Sequence, residues 1–345
     1  MISKSQSVLS PILSTRLSVL GATIPIWQSD TALAEILAEL SDLPANLIVR
    51  ASREIVVAAQ FWWKPRSYFS LESFLANSMS EQKLLKRNPD YGWLLIFHTT
   101  GYVREAALNA IQTPPASPFF FAALAWRLND WVEPVRQAAT RCAERVLGLT
   151  NADIAAKSAL YLLDRRFVWE RWGDESNVLD AVFVRNDVVA ALVTHLQKQA
   201  TGPLASILNH ALRYPNIDPH LPRLATQAVQ LSVRCLAYRC LLSGKATWPE
   251  GYEWIWVDKV YGRRRRVPKL EARDIKRDRP YAEFLREAIR DKSSWVRHLA
   301  AGAMIRNRGQ LRDEDPLIEH LAKDSSPAVR SCADYMLRHP LPPQS

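Results

Sequence analysis

The chain has 345 residues, 48% hydrophobic and 23% charged, with only 11 glycines and a formal net charge of +10. That length exceeds what one compact core usually supports, the apolar share excludes global disorder, and the scarcity of glycine disfavours glycine-rich nucleotide loops and many-turned β folds. A positive excess favours anionic partners, but here it is local: Asp258 to Arg279 carries ten Lys/Arg against four Asp/Glu, or +6 of the +10.

The N-terminal stretch is apolar in tone, but Pro11 and Arg16 interrupt it, which argues against a signal peptide. Ser29 or Asp30 can cap a helix over TALAEILAEL, and Pro44 opens a second over ANLIVRASREIVVAAQ. The segment FWWKPRSYF (61–69) has five aromatics around Lys64 and Arg66. Packing at a helix end closed by Pro65 is the simpler reading, and a binding surface the sharper one.

From residue 98 a pattern recurs. HTTGYVREAALNAI, DWVEPVRQAATRCAERV, DKSSWVRHLAAGAMI and SPAVRSCADYML each contain a Val-Arg pair, at Val103-Arg104, Val135-Arg136, Val296-Arg297 and Val329-Arg330. Alanine follows each valine by four residues, at Ala107, Ala139, Ala300 and Ala333. Asp130, Asp291 and Asp324 precede their valines by five, and His98 takes that place in the first copy. Adjacent copies lie 32 and 33 residues apart, which is a structural period. Valine, alanine and later apolar residues form a helical stripe for burial. The aspartate is placed to cap the helix, and His98 is expected to make a capping or polar contact rather than to catalyse. Amphipathic stretches precede three of these helices, in SPFFFAALAWRLND, RPYAEFLREAIRD and DPLIEHLAKD, so the unit is a helix pair that must stack to bury both faces.

Between the copies, NDVVAALVTHLQ (186–197) and QLSVRCLAYRCLLSG (230–244) read as degenerate repeats, with Val188 and Val233-Arg234 as register points. Two stretches break the rhythm. In FVWERWGDESN (167–177), Trp169 and Trp172 bracket Glu170 and Arg171 and precede Asp174. Helix-loop punctuation with a snorkelling arginine accounts for it. The sharper reading makes Trp169, Arg171 and Trp172 partner contacts. The second stretch, TWPEGYEWIWVDKVYGRRRRVPKLEARDIKRDRP (247–280), alternates like a strand, with Trp254 and Trp256 on one face and Ile255 and Val257 on the other. Gly262 can turn the chain into Arg263, Arg264, Arg265 and Arg266, giving a small hairpin or ordered loop. Its tryptophans are expected to pack on flanking helices because a hairpin alone is marginal, which leaves the arginines facing solvent. Farther on, Glu271, Asp274 and Asp278 interleave with Arg273, Lys276, Arg277 and Arg279, and are expected to pair internally or along a helix.

The Asp-x4-Val-Arg signature resembles the HEAT and HEAT-like repeat family, over residues 89–147 and 280–338. The resemblance implies an all-α fold: a right-handed α-solenoid of antiparallel helix pairs, with the small β-hairpin or loop as an insertion. It also implies a structural ladder in which the repeated arginines bond to aspartates of adjacent repeats. On this reading residues 1–88 form an N-terminal helical region, 89–246 and 280–338 the repeats, 247–279 the basic insertion and 339–345 a tail. Some HEAT-like proteins are glycosylases for alkylated DNA bases, and Trp169, Trp172 and Asp174 are the residues that could supply stacking and charge stabilisation for such chemistry. Iron-binding HEAT enzymes need paired His-Glu motifs, which this chain lacks.

No HExxH, GxSxG, P-loop or GxGxxG is present, and Cys142, Cys235, Cys240 and Cys332 make no CxxC pair, so neither cofactor nor metal is expected. No apolar run reaches the ~18 residues of a membrane helix. The expectation is a cytoplasmic, non-enzymatic scaffold that binds another protein, as an adaptor, regulator or toxin-neutralising immunity protein. The alternative is a nucleic-acid-binding solenoid that uses Arg263 to Arg266.

Overall fold

Residues 7–23, 30–61, 81–165, 168–169, 171–308 and 315–339 are described by a computed structural model. Segment 62–69 of the aromatic stretch, with Lys64 and Arg66, lies outside them, as does Ser29. The described residues are mostly helical, with one two-stranded antiparallel sheet. None of their helices is long and apolar enough to cross a membrane. The chain divides into two compact units, residues 1–188 and 189–345.

In the first unit the N-terminal region is helical at Pro11–Thr23, Asp30–Ser41 and Ile48–Ala58. Helix Pro118–Arg127 is apolar on every side and is therefore central. Phe119, Phe120 and Phe121 are buried there, with Phe97 stacked on Phe119, Trp93 tilted on Phe120 and Phe183 stacked on Phe121. Ser117 caps this helix by accepting the Phe120 N–H, and Pro118 occupies a first-turn position where a missing N–H costs little. The Val-Arg copies form helices Gly101–Ala110 and Glu133–Val146, which pack on one another with Val103, Ala107, Val135 and Ala139 buried.

The second unit repeats the scheme. Helices Leu231–Ser243, Ser294–Arg306 and Pro327–Arg338 each contain a Val-Arg pair, and each packs on the next. Helices Tyr281–Ile289 and Asp315–Ala322 precede the last two and pack against them.

The arginine of each pair has one geometry throughout. Nη1 of Arg104 donates to the carbonyls of His98 and Thr99, that of Arg297 to Asp291 and Lys292, and that of Arg330 to Asp324 and Ser325. Arg136 reaches the Asp130 carbonyl, and Arg234 those of Ala228 and Val229. The residues six and five positions back are thus the acceptors, and Arg234 shares this geometry although Ala228 stands where the other copies have Asp or His. The rest of the fork then crosses to the next copy. Arg104 clasps the Asp130 carboxylate at 2.9 and 2.8 Å, Arg297 clasps Asp324 at 2.6 and 2.9 Å, and Arg234 lies 3.5 Å from Asp291. Arg136, with no aspartate ahead of it, donates to Glu175 at 3.1 Å. Val188 is buried, but its following residue is Val189, so no rung forms there.

The aspartates act one step earlier than a simple cap. The N-cap residues are Val132, Ser293 and Ser326, and Oδ1 of Asp130, Asp291 and Asp324 accepts the backbone N–H of those residues at 2.7–3.0 Å. His98 substitutes in kind: its Nδ1 accepts the Thr100 N–H at 3.0 Å. In Asp130 and Asp324 the carboxylate therefore orders the turn through Oδ1 while both of its oxygens receive the arginine.

Arg104 and Asp130 are 3% and 1% exposed, and Asp130 also holds the buried Arg127, so removing the carboxylate strands two guanidinium charges. Asp130→Ala is expected to cost about 3–5 kcal/mol. Arg330→Ala, which removes only hydrogen bonds to its own turn, is expected to cost about 1 kcal/mol. Urea denaturation of the two variants measures the difference.

Candidate functional site

Arg234 and its aspartate are separated by 30 residues more than Arg297 and Asp324, and 30 residues is the length of the hairpin from Lys245 to Asp274. The hairpin is thus spliced into one rung interval. Gly244 makes the exit: it closes helix Leu231–Ser243 with φ +74°, a left-handed conformation that glycine adopts without cost. Strand β1 (Lys245–Asp258) then pairs with β2 (Arg263–Asp274), and Gly262, at φ +65°, turns the tip, where Asp258 accepts the N–H groups of Val260 and Tyr261.

The base of the hairpin is docked. Ala246 is fully buried. Arg273 forks onto Asp218 at 2.7 and 2.6 Å and donates to the carbonyls of Leu212 and Tyr214. Arg213 pairs with Glu250 at 3.2 Å and donates to the Pro249 carbonyl. Arg273 is therefore a long-range anchor on a strand, not a partner of neighbouring acids along a helix. Arg279, by contrast, pairs with near neighbours as expected, reaching Asp278 and Glu283 as well as Glu287.

Beyond the irregularity between Pro249 and Tyr252 the ribbon leaves the helices. Trp254 is 65% and Trp256 45% exposed, so the expected packing of these tryptophans on flanking helices does not occur. The docked base supplies the tertiary support that a free hairpin would lack. Cross-strand pairing sets Trp254 opposite Arg266 and Trp256 opposite Arg264, with Tyr252 opposite Pro268. Opposite residues share a face, so three aromatic rings and two guanidinium groups line one side, while Ile255 and Arg265 lie on the other. Arg264 lies over the Trp256 ring at 3.8 Å and Arg266 over Tyr252 at 4.2 Å, both cation–π distances. At the tip, Arg263 sits 6.0 Å from the Tyr261 ring. Among the described residues none of Arg263, Arg264, Arg265 and Arg266 forms an ion pair. Strand alternation made the tryptophan face legible. Its combination with the arginines depends on cross-strand register, which no local pattern reveals.

The other cluster is arranged differently. Trp169 is only 7% exposed, so it is not a partner contact. It packs edge-on against Trp172 at 4.8 Å and Tyr161 at 6.2 Å, and Trp172 Nε1 donates to the Ala125 carbonyl. The pair staples the segment to helix Pro118–Arg127. Arg171 is exposed, with its backbone N–H bound to Asn129, and Asp174 starts a 3-10 turn, Asp174–Ser176. With Trp169 buried and packed edge-on against Trp172, the described residues of the segment present no stacked aromatic platform for a base.

Arg171 does border a cavity of about 450 Å³ in the first unit, whose wall includes Arg53, Trp126, Arg127, Asp130 and Trp131. Sequence reasoning did not find it, because its walls come from three separated helices. Asp130 accepts from Arg104 at both oxygens, from Arg127 and from the Val132 N–H, so it has no lone pair to spare for general-base work or for a cationic intermediate. Burial, partly offset by Asp130, brings Arg127 down to about 10. A second cavity, of about 520 Å³ and in the second unit, is bordered by Asn209, Cys235, Arg239, Trp295 and His298. Burial raises the Cys235 thiol, which leaves it a poor nucleophile.

Comparison with known proteins yields no relationship: no protein-family description matches the chain, and no curated protein is detectably similar.

His98 contributes a pH effect. Its Nε2 lies 3.9 Å from Glu81. Burial pushes Glu81 up to about 7, while burial and the Arg104 charge push His98 down to about 4. The folded state thus favours the neutral form of both. For Glu81 the folded pKa lies above the ordinary value of 4.5, so its stabilising contribution is present below pH 4.5 and is lost as pH rises to 7. His98 runs oppositely, losing its contribution as pH falls from 6.5 towards 4. Glu81→Gln removes only the first effect. Its Tm relative to wild type should therefore rise between pH 4.5 and 7 and stay level above, as a thermal-melt series would record.

Proposed function

We propose that the protein is a non-enzymatic HEAT-like binding protein, a right-handed α-solenoid whose recognition element is the β-hairpin inserted between Arg234 and Asp291. The observation that carries this reading is the contrast within the hairpin. Its base is tied down by Arg273, Asp218 and Arg213, while its distal half exposes tryptophans and unpaired arginines on a ribbon that contributes little to any core. Exposed large apolar side chains on a held scaffold mark interaction surfaces, and tryptophan and arginine are the residues that most often dominate binding energy. The recurrent arginine geometry, with turn carbonyls behind and the next acid ahead, supports the solenoid, because each rung fixes one helix pair on its successor. A cytoplasmic adaptor, regulatory or toxin-neutralising role fits such a protein.

Another protein is the simplest partner for a repeat scaffold. The row of arginines without counter-charges favours a second reading, an anionic polymer. Base excision gains no support, since Trp169 is buried against Trp172 and Asp174 stands exposed at the start of its 3-10 turn.

Replacing Arg263, Arg264, Arg265 and Arg266 together by alanine tests the hairpin's role. The variant should keep the wild-type Tm, because these side chains stabilise little, and should lose the partner that wild type retains in affinity capture from native lysate. Nuclease treatment of a parallel sample then separates protein from nucleic acid. Undiminished capture by the variant would place recognition elsewhere.

A further inference from the structure

We infer that the exposed face of the hairpin binds single-stranded nucleic acid, with Tyr252, Trp254 and Trp256 as a base-stacking platform and Arg264 and Arg266, which share that face, as the phosphate contacts. This inference rests on the reading of the hairpin as the recognition element and names its partner.

Three features point to this class of ligand. The first is spacing. Residues 252, 254 and 256 project from one face of one strand, so successive rings stand about 6.6–6.8 Å apart, or twice the strand rise of about 3.3–3.4 Å. That interval equals about two base-stacking steps of 3.4 Å, so an extended strand can place bases along the row. The second is charge. Tyr252 to Lys269 holds six Lys/Arg and two Asp/Glu, and one of the two acids, Asp258, is occupied by the N–H groups of the tip. A strand of phosphates supplies the missing negative charge at regular intervals. The third is the coupling of the two: Arg264 and Arg266 lie over the Trp256 and Tyr252 rings at 3.8 and 4.2 Å, so each presents ring and guanidinium together. Aromatic rings beside a cationic track are how proteins hold single strands without reading sequence.

A duplex uses this face less well. A two-stranded ribbon fits a major groove and its arginines could reach base edges there. The bases of a duplex, however, already stack on one another, so Trp254 at 65% exposure would find no π face to cover. An acidic peptide would satisfy the arginines and leave the regular row of rings unused. Neither of the two cavities described above is lined by the ribbon, so the expected recognition is tolerant of sequence.

The test is fluorescence anisotropy with the full-length protein and a labelled 20-nucleotide mixed-sequence single strand, its RNA equivalent and the matching duplex, over a series of salt concentrations. Wild type should bind a single strand at least several-fold more tightly than the duplex. The slope of log K against log salt should be about −1.4, from two phosphate contacts at about −0.7 each. Trp254→Ala should weaken single-strand binding about tenfold and leave the slope unchanged, because stacking involves no counterion release. The quadruple Arg263→Ala, Arg264→Ala, Arg265→Ala and Arg266→Ala variant should flatten the slope. Arg264→Lys with Arg266→Lys should keep the slope but lose affinity, since lysine retains the charge and not the planar stack. Near-ultraviolet circular dichroism and Tm of each variant verify an intact fold.

No single-strand binding at low salt, equal or tighter duplex binding, or full affinity in Trp254→Ala would each overturn the inference. If single strands are not bound but the quadruple variant still loses a nuclease-resistant protein partner, this inference fails and the hairpin remains the recognition element. If the quadruple variant loses neither single strands nor a partner, both readings fail.

Discussion

Everything else in the structure depends on one interaction, the arginine fork that joins a turn to the next acidic turn. A guanidinium has five donors in a plane and cannot shed its charge, so burying it requires acceptors on several sides. Arg104 finds them in two carbonyls of its own turn and two oxygens of Asp130. The same group satisfies carbonyls that a turn between packed helices would otherwise leave unpaired, and it fixes the distance between copies. Because Asp130 also holds the Val132 N–H, each rung orders the start of the helix whose arginine makes the next bond.

The rung explains how the chain tolerates a long insertion. Arg234 and Asp291 still meet although the hairpin lies between them, since its base enters and leaves at adjacent points, Gly244 and Ile275, joined by a backbone hydrogen bond. A loop whose ends are already together adds little closure entropy to the scaffold. The hairpin in turn borrows rigidity through Arg273 and Asp218. Its distal half can then carry exposed aromatic and cationic side chains that no core would accept.

Much of this was legible in the sequence, and the missing parts have physical causes. The period and the valine and alanine stripe are local or near-local, so spacing exposed them, whereas the arginine ladder was implied only by the resemblance to HEAT-like repeats; His98 stood in for aspartate because both offer an acceptor at the same reach. The strand alternation of residues 252–257 also showed directly. Two contacts were hidden because their partners are distant in the chain: Arg273 with Asp218, 55 residues away, and Trp172 with Ala125, 47 residues away. The expectation that Trp254 and Trp256 would be covered treated burial as the only support for a hairpin, whereas here the docked base provides it. For Trp169, residue type alone could not tell a stacking platform from a staple, and its neighbours Tyr161 and Trp172 decide it.

The measurement that bears most directly on the division between scaffold and appendage is a shortened hairpin. Residues 252–267 are replaced by a two-residue turn that leaves Arg273, Asp218 and Glu250 in place, and both cooperative unfolding and partner binding are followed. A variant with wild-type Tm and cooperativity but no binding is the predicted result. A variant that unfolds, or one that binds as wild type does, would contradict the account.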